Sequence, residues 1–298
     1  MPTRSSFPMC PLPAAIDPYR GCTHGCTYCY HYELNSRMDA PELDEAPDDL
    51  QAFIDGARSA ELASVPRGLP IRLGRTSDPF QPCEAQHRRT MAMLDVLAAT
   101  GYPFVLTTKG RLAAAPEYLA ILKRCNVVAQ VSMVSPLMDV DEPGAPSYDE
   151  RLMMVYRLSK VCRRVIARAQ PLYLDDAHVG AFAASLGDLA RVGVHGVLVE
   201  TLASAHDRDA RPGMTREGLG FWHYPPEAIT AVCNGIKDLA HGVGLRFFSG
   251  DACIREMGTA LVGDHPTCCG CGDLPGFSPA PPRTAGRQFR PVGRSSSG

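Results

Sequence analysis

Three cysteines lie within eight residues near the start of the chain. Cys22, Cys26 and Cys29 follow a C-x3-C-x2-C spacing, and Tyr28 directly precedes the last of them. Thiolates are soft ligands that favour zinc or iron–sulfur clusters. Three of them can ligate three irons of a [4Fe-4S] cluster and leave the fourth iron open to a small molecule. The spacing therefore predicts a cluster with an open coordination position.

Two simpler explanations fit the same cysteines. A structural zinc site normally has four ligands, and His24 or His31 could supply the fourth. A disulfide would require an oxidising compartment. The spacing and the aromatic residue at position 28 resemble the loop of the radical S-adenosylmethionine superfamily. That resemblance implies that the open iron holds the methionine amino and carboxylate groups, that Tyr28 packs near the adenine, and that Tyr30 is a further cofactor contact.

A second group of cysteines lies towards the other end of the chain. Cys253, Cys268, Cys269 and Cys271 fall within nineteen residues, three of them in a glycine-rich loop. Glycines let a backbone fold closely around a cluster, so we predict an auxiliary [4Fe-4S] cluster here. Cys253, Cys268 and Cys271 are the first-choice ligands, and Cys269 is a reserve ligand or a catalytic thiol. Zinc with four thiolates, and thiols that bind nothing, are the alternatives.

Composition narrows the classes of partner. The chain has 298 residues, 45% of them hydrophobic, which suffices for one large domain or two small ones. Its net charge is −2 and its pI about 6.5, so no broad basic field is expected to attract nucleic acid. The start lacks an apolar signal sequence, and no apolar run is long enough to cross a membrane. Twelve cysteines without an export signal predict a cytoplasmic protein.

Strand-like and helix-like patterns alternate along most of the chain. Apolar stretches predict strands at 70–74, 103–108, 126–132, 164–169, 195–200 and 244–249. Amphipathic patterns predict helices near 48–62, 84–100, 115–124, 148–161, 179–192 and 226–241. This alternation implies parallel strands joined by right-handed crossovers. With a first strand just before Cys22, it predicts an α/β fold, a partial (β/α)6 TIM-type barrel with its chemistry at the carboxyl ends of the strands.

The chain divides into three predicted parts. The barrel is expected over residues 1–245 and a small C-terminal cysteine-rich, cluster-binding extension over 246–277. Residues 278–298 are rich in Pro, Gly, Ser and Arg and lack periodicity, which predicts a flexible tail.

Four further stretches, together with the cysteine loop, resemble the spore photoproduct lyase-like branch of the superfamily. They are 73–84, 107–110, 131–132 and 141–152. The resemblance implies that Thr76, Ser77 and Asp78 lie near the methionine end of S-adenosylmethionine. It also implies polar contacts from Lys109 and Ser132 to its carboxylate or ribose. Turn formation before a proline is the alternative for Asp78, and a solvated lysine is the alternative for Lys109.

The chain departs from the repair lyases at one position. In that resemblance the hydrogen-donating cysteine directly precedes the Thr-Ser-Asp run, where this chain has Arg75. Repair of DNA photoproducts is therefore not the first expectation, and Arg75 is predicted to clamp an anionic substrate group instead. Glu200, at the end of a predicted strand, is a candidate acid–base residue; the alternative is a solvated carboxylate with no role in the chemistry.

The combined resemblance implies a radical enzyme with a nucleoside-like small-molecule substrate. The cysteine-rich C-terminus is similar to that of members that insert sulfur, which favours a sulfur-for-oxygen exchange in nucleoside antibiotic biosynthesis. An electron donor such as flavodoxin or ferredoxin is the expected partner. Alternatives are a sugar epimerase or dehydrogenase that uses the second cluster as an electron relay, photoproduct repair, and a non-enzymatic zinc or nucleic-acid-binding module.

Overall fold

The computed structural model describes most of the chain. Described are residues 2–4, 12, 14–31, 41–63, 65–217, 220–250, 263–264, 270–272 and 274–277. The predicted ligands Cys253, Cys268 and Cys269 and the predicted tail 278–298 lie outside these residues. In the part that is described, no helix has the length and apolar character needed to cross a membrane.

One mixed sheet forms the centre of the molecule. Its strands are β1 (Thr3–Arg4), β2 (Ala14–Ile16), β5 (Ile71–Leu73), β6 (Phe104–Thr108), β7 (Val127–Ser132), β8 (Arg164–Leu172), β9 (Gly196–Thr201) and β12 (Arg246–Ser249), hydrogen-bonded in that order. The first of these strands, β1, lies at the edge and is antiparallel to β2. The other seven strands of this sheet are parallel to one another. Two antiparallel ribbons lie outside this sheet: β3 (Tyr19–Arg20) with β4 (Glu42–Leu43), and β10 (Ala203–Ser204) with β11 (Trp222–His223).

Helices connect the parallel strands. They are α1 (Pro47–Ile54), α2 (Glu84–His87), α3 (Arg89–Thr100), α4 (Pro116–Leu122), α5 (Tyr148–Leu158), α6 (Asp176–Arg191) and α7 (Pro226–Gly242). Neighbouring strands follow one another along the chain with intervening helices, which is the arrangement of a TIM-type barrel. The α/β partial-barrel prediction is confirmed, with seven parallel strands in the sheet.

Two predicted helices differ from those observed. The segment predicted as one helix over 84–100 is two, because Arg88 adopts a left-handed conformation with φ 50° between them. The helix expected over 48–62 ends at Ile54, close to Gly56 with φ 108°, and is followed by a 3₁₀ turn at Ala60–Leu62. The sheet itself runs to Ser249, past the predicted barrel boundary at 245.

Successive side chains along each strand point to opposite faces of the sheet. One set of side chains packs under the helices in the main core, for example Leu73, Leu106, Ala129 and Val199. The next residues along the same strands face the inner side, which we call the lumen. A second apolar cluster there, which we call the floor, contains Leu12, Val105, Val128, Ile166, Leu198, Phe248, Cys271 and Phe277.

Candidate functional site

The cysteine loop lies at the carboxyl end of the parallel strands. Its contacts are with segments that follow those strands rather than with their amino ends. The Thr23 amide donates to Gln81 Oε1, after β5, at 3.1 Å. The Thr27 amide and hydroxyl donate to the main chain and carboxylate of Asp141, after β7, at 2.9 and 2.7 Å. We call this end, formed by the loops after β3, β5, β6 and β7, the mouth.

Backbone contacts hold the loop in place. Gln81, fully buried, donates from Nε2 to Gly21 O at 3.0 Å. Gly144 donates its amide to His24 O at 2.8 Å, and its own carbonyl lies 3.0 Å from His24 Nδ1. A Cβ at position 144 would lie 2.5 Å from Thr23 O, so only glycine permits this approach. Neither Gln81 nor Gly144 was predicted from the sequence, because their contacts join residues far apart in the chain.

The thiols of the loop lie in a shielded setting. Cys26 is buried, and Cys22 and Cys29 are half-buried. Burial, followed by the charge of Asp78, raises the pKa of Cys22 to about 12, and burial also raises the pKa of Cys26. Metal ligation deprotonates a thiol, so a bound cation would supply the positive charge that these thiolates need. Three soft donors of this kind fit an iron–sulfur cluster.

The zinc alternative depends on a fourth ligand, and His24 is engaged elsewhere. Its Nδ1 faces Gly144 O, and its Nε2 lies 3.2 Å from Asp78 Oδ2. Over the described ranges, no group of three or more Cys, His, Asp or Glu side chains converges on a single metal ion. Cysteines that hold a cube-shaped cluster bind different irons and need not converge on one point.

Tyr28 is part of a charged cluster at the mouth. Its hydroxyl donates to Glu142, and Lys109 Nζ lies 5.6 Å from the centre of its ring. Glu142, almost completely buried, pairs with Arg151 Nη1 at 2.5 Å and with Lys109 Nζ at 3.7 Å. Burial would lower the pKa of Lys109, but Cys26 and Glu142 raise it above its ordinary value, so the lysine stays cationic. The predicted residues Tyr28 and Lys109 are thus brought together beside the cysteines.

Arg151 holds this cluster in place. The side chain is buried, donates to Ser132 O at 2.9 Å, and pairs with Asp139 Oδ1 at 3.1 Å. Ser132, predicted to contact the cofactor, lies buried at the end of β7 and meets Arg151 through its carbonyl oxygen. Arg151 and Glu142 fall in the stretch 141–152 that carried the family resemblance, but their pairing could not be predicted from spacing.

Asp17, directly after β2, holds the loop that contains Arg75, Thr76 and Ser77. Its carboxylate accepts from the Arg75 amide at 2.7 Å and from the Thr76 hydroxyl at 2.7 Å. Ser77 donates its hydroxyl to Tyr19 O at 2.6 Å. The Tyr30 hydroxyl, exposed at the rim, donates to Arg75 O at 2.6 Å. The predicted residues therefore lie together, and their anchor, Asp17, was not predicted from the sequence.

Asp78 is bound entirely by protein donors. Its carboxylate accepts from the Phe80 amide at 2.8 Å, the Thr108 hydroxyl at 2.7 Å and the Lys109 amide at 2.6 Å. Burial would raise the pKa of Asp78, but the imidazole of His24 and these hydrogen bonds lower it to about 2. The bond to Phe80 is the turn chemistry considered as the alternative for an Asp-Pro pair. Asp78 joins the cysteine loop to the ends of β5 and β6.

A row of polar side chains crosses the lumen between the mouth and the floor. Arg72, from β5, donates Nη1 to Thr107 Oγ1 at 2.7 Å and to Gln130 Oε1 at 3.0 Å. Arg168, from β8, donates to the same Gln130 oxygen at 3.5 Å. None of these residues was predicted. The sequence feature that could have indicated them is a polar residue in an otherwise apolar strand, at a position whose side chain points into the lumen.

Glu200, the predicted acid–base residue, lies in this row on β9. One carboxylate oxygen is 3.3 Å from Arg168 Nη2, and the other accepts from Gln170 Nε2 at 2.5 Å. Both oxygens therefore have donors, and the carboxylate holds Arg168 in position across the lumen.

The C-terminal cysteines are only partly described. Cys271 is fully buried in the floor, where it packs with the inner-face residues of the central strands. The preceding carbonyl, Gly270 O, accepts from Arg164 Nη1 at 3.3 Å. This thiol lies towards the amino ends of the strands, the opposite side of the lumen from Cys22, Cys26 and Cys29.

A separate surface cleft of about 450 Å³ lies at the amino ends of the central strands. It is lined by Gly101, Lys123, Arg124, Cys125, Asn126, Val161, Cys162 and Arg163. None of the predicted site residues contributes to it, so chemistry rather than cavity shape identifies the site.

No protein-family model matches the chain. Curated relatives are an uncharacterized protein of Mycobacterium bovis and two of Mycobacterium tuberculosis, each 26% identical over 208 residues. The aligned region is 63% of this chain and 58% of those proteins, so the chain spans less than two thirds of the length of the curated relatives it matches.

Solved structures share the architecture. Spore photoproduct lyase complexed with dinucleoside spore photoproduct superposes with a TM-score of 0.58 at 18% identity, over 78% of this chain and 73% of that one. The chain has the fold of that lyase. A lyase variant with bound AdoMet and the photoproduct gives 0.57 at 17% identity, over the same shares. Streptococcus suis SuiB bound to S-adenosylmethionine gives 0.52 at 12% identity, over 81% of this chain and 52% of SuiB.

Proposed function

We propose that this chain is a radical S-adenosylmethionine enzyme that acts on a nucleoside-like small molecule. The observation that carries the proposal is the mouth itself. Three cysteines with buried or half-buried thiols lie beside Tyr28, Lys109 and Glu142, on the fold shared with a lyase that has been solved with bound AdoMet. A [4Fe-4S] cluster with S-adenosylmethionine, when bound, supplies an electron and a 5′-deoxyadenosyl radical that removes hydrogen from an unactivated C–H bond.

The chain's own residues would hold and shield these groups. Cys22, Cys26 and Cys29 would ligate the cluster. The ring of Tyr28, fixed by Glu142, provides an aromatic surface beside the cysteine loop, and Lys109 provides a cation for a carboxylate. Apolar side chains of the floor close the lumen at its other end, which excludes water from a reactive intermediate.

The finer proposal is a sulfur-for-oxygen exchange of the kind used in nucleoside antibiotic biosynthesis, such as the albomycin pathway. Sulfur would come from the second cluster predicted at the C-terminal cysteines. The support from the described residues is the position of Cys271, a thiol on the inner side of the sheet with the polar row between it and the mouth. An electron donor such as flavodoxin or ferredoxin is required by the proposed chemistry.

Iron and acid-labile sulfide per chain, measured after anaerobic reconstitution, test both the radical mechanism and the proposed second cluster. We expect about eight irons in the wild type and about four in a Cys22/Cys26/Cys29→Ala triple variant, with 5′-deoxyadenosine formation abolished. A Cys83→Ala variant, at a half-buried thiol before α2, is the matched control and should keep both properties.

Failure of the radical mechanism and failure of the sulfur-insertion proposal would give different results. A wild type without iron, or a triple variant that still forms 5′-deoxyadenosine, would contradict the radical mechanism. About four irons falling to none would keep that mechanism and remove the sulfur-insertion proposal, because no second cluster would then exist.

A further inference from the structure

Arg72 is a cation placed inside the lumen. It lies on β5 between Ile71 and Leu73, which are fully buried on the helix-covered face, so its side chain is on the opposite, inner face. Its Nη1 reaches across β6 to bond Thr107 and Gln130. Both acceptors are neutral oxygens, so the hydrogen bonds orient the guanidinium without balancing its charge.

Two buried carboxylates, one in the lumen and one at the mouth, are held by other donors. Glu200 is bound by Arg168 and Gln170. Glu142 is paired with Arg151 and Lys109 at the mouth. Among the residues that the structure describes, no carboxylate oxygen lies within 4.0 Å of the Arg72 guanidinium; its two hydrogen bonds are those from Nη1.

The geometry of arginine limits what can complete this site. A guanidinium presents five N–H donors in a planar fork that matches two oxygens of a carboxylate or phosphate. The two hydrogen bonds from Nη1 fix the plane of the Arg72 guanidinium. The donors on Nη2 and Nε are left for a ligand. A half-buried cation is stabilised most by an anion with this bidentate geometry.

We propose that Arg72 forms a subsite for an anionic oxygen group, a carboxylate or a phosphate, carried by the substrate. The subsite lies in the lumen between the mouth and the floor. It rests on the proposed function in that the ligand is the substrate of the radical reaction, and it narrows the substrate class to nucleoside-like molecules with a negative charge. Arg168, which is held by Glu200 and shares Gln130 with Arg72, borders the same subsite.

Calorimetric titration of the reconstituted holoprotein tests this subsite. The probes are the four ribonucleosides, their 5′-monophosphates and their 5′-carboxylic acids, so that the phosphate and carboxylate arms are separated. We expect at least one anionic probe to bind about tenfold or more tightly than its neutral parent. An Arg72→Gln variant should lose that preference and keep the affinity for the neutral nucleoside, because the loss is electrostatic.

Controls keep the result independent of folding and of catalysis. Arg191→Gln removes an exposed arginine on α6 that pairs with Asp188, and it should leave every affinity unchanged. Iron content and thermal unfolding report whether Arg72→Gln is folded and loaded, and Arg72→Lys should keep part of the preference because it keeps the charge.

Two results would overturn the subsite. One is that no anionic probe binds the wild type more tightly than its neutral parent. The other is that Arg72→Gln weakens neutral and anionic probes equally, which would indicate a packing role. Titrations need no turnover, so a failure to form 5′-deoxyadenosine would count against the proposed function and leave the anion test standing.

Discussion

The mouth and the floor are two ends of the same strands, built by opposite means. At the mouth, buried polar groups hold loops together: the Glu142 carboxylate pairs with the Arg151 guanidinium, and the Asp78 carboxylate lies against the His24 imidazole. At the floor, apolar side chains such as Leu198 and Phe248 pack against a segment that returns from the C-terminus. A buried ion pair adds little net stability but is costly to break, whereas apolar burial stabilises directly. The polar contacts therefore fix the positions of the loops at the mouth, and apolar burial at the floor supplies stability.

The largest effect is expected at the mouth, from Arg151→Met. The substitution removes a buried cation and leaves Glu142 and Asp139 without it, so the free energy of unfolding should fall by about 3–5 kcal/mol. Urea unfolding measures this. The control Arg191→Met breaks an exposed pair with Asp188 and should cost less than about 1 kcal/mol. Equal losses in the two variants would show that the mouth does not depend on this pair.

At the floor, Leu198→Ala should lower stability and leave the chemistry intact. Removing a buried leucine costs about 2–5 kcal/mol through lost burial and the cavity left behind. The formation of 5′-deoxyadenosine should change by less than about twofold, because it depends on the cysteine loop at the mouth and distant sites are energetically independent. A parallel loss of 5′-deoxyadenosine formation and stability would refute the division between the two ends. Val140→Ala, at an exposed side chain, is the matched control.

Gly144→Ala tests whether the cysteine loop is held by close backbone approach. The added Cβ would lie 2.5 Å from Thr23 O and 2.9 Å from His24 O, so the loop has to shift, at a cost of about 1–3 kcal/mol. Iron retention after reconstitution should fall with it. Gly180→Ala meets no atom within 4 Å in α6 and should stabilise by about 0.5–1 kcal/mol. Unchanged iron retention in Gly144→Ala would show that the loop tolerates displacement.

The smallest effect concerns pH and Glu45. Burial raises the pKa of Glu45 from 4.5 to about 7, and its carboxylate accepts from the Asp17 amide at 2.9 Å. The folded state then binds more protons than the unfolded state between these values, so stability should fall as pH rises from about 4.5 to 7. Glu45→Gln should flatten this dependence: the difference in unfolding free energy between pH 5 and pH 7 should shrink by about 1 kcal/mol, because solvent at this partly exposed group screens the shift. Urea titrations at pH 5 and pH 7 measure it; an unchanged slope would assign the pH dependence to other groups.

The sequence predicted most of the strands within two residues, because their apolar runs are bounded by turns. It singled out the cysteine loop as the candidate cluster site because the spacing is local. It did not predict Asp17, Gln81 or Arg72, whose partners lie far along the chain and carry no periodic signal. Nor did it place Cys271 at the floor, since that contact depends on the chain returning to the amino ends of the strands.

At the mouth, the support of the loop after β5 does not depend on the side chain at position 75. Asp17 anchors the segment after β5 through the amides of Arg75 and Thr76, together with the Thr76 hydroxyl. At position 75 the anchor uses only the main chain, which every residue except proline supplies equally. A thiol, a guanidinium or an apolar group at this position would therefore leave these contacts of Asp17 in place. The support that Asp17 gives this loop is thus separate from the side chain at position 75, and the side chain can change while this anchor stays constant.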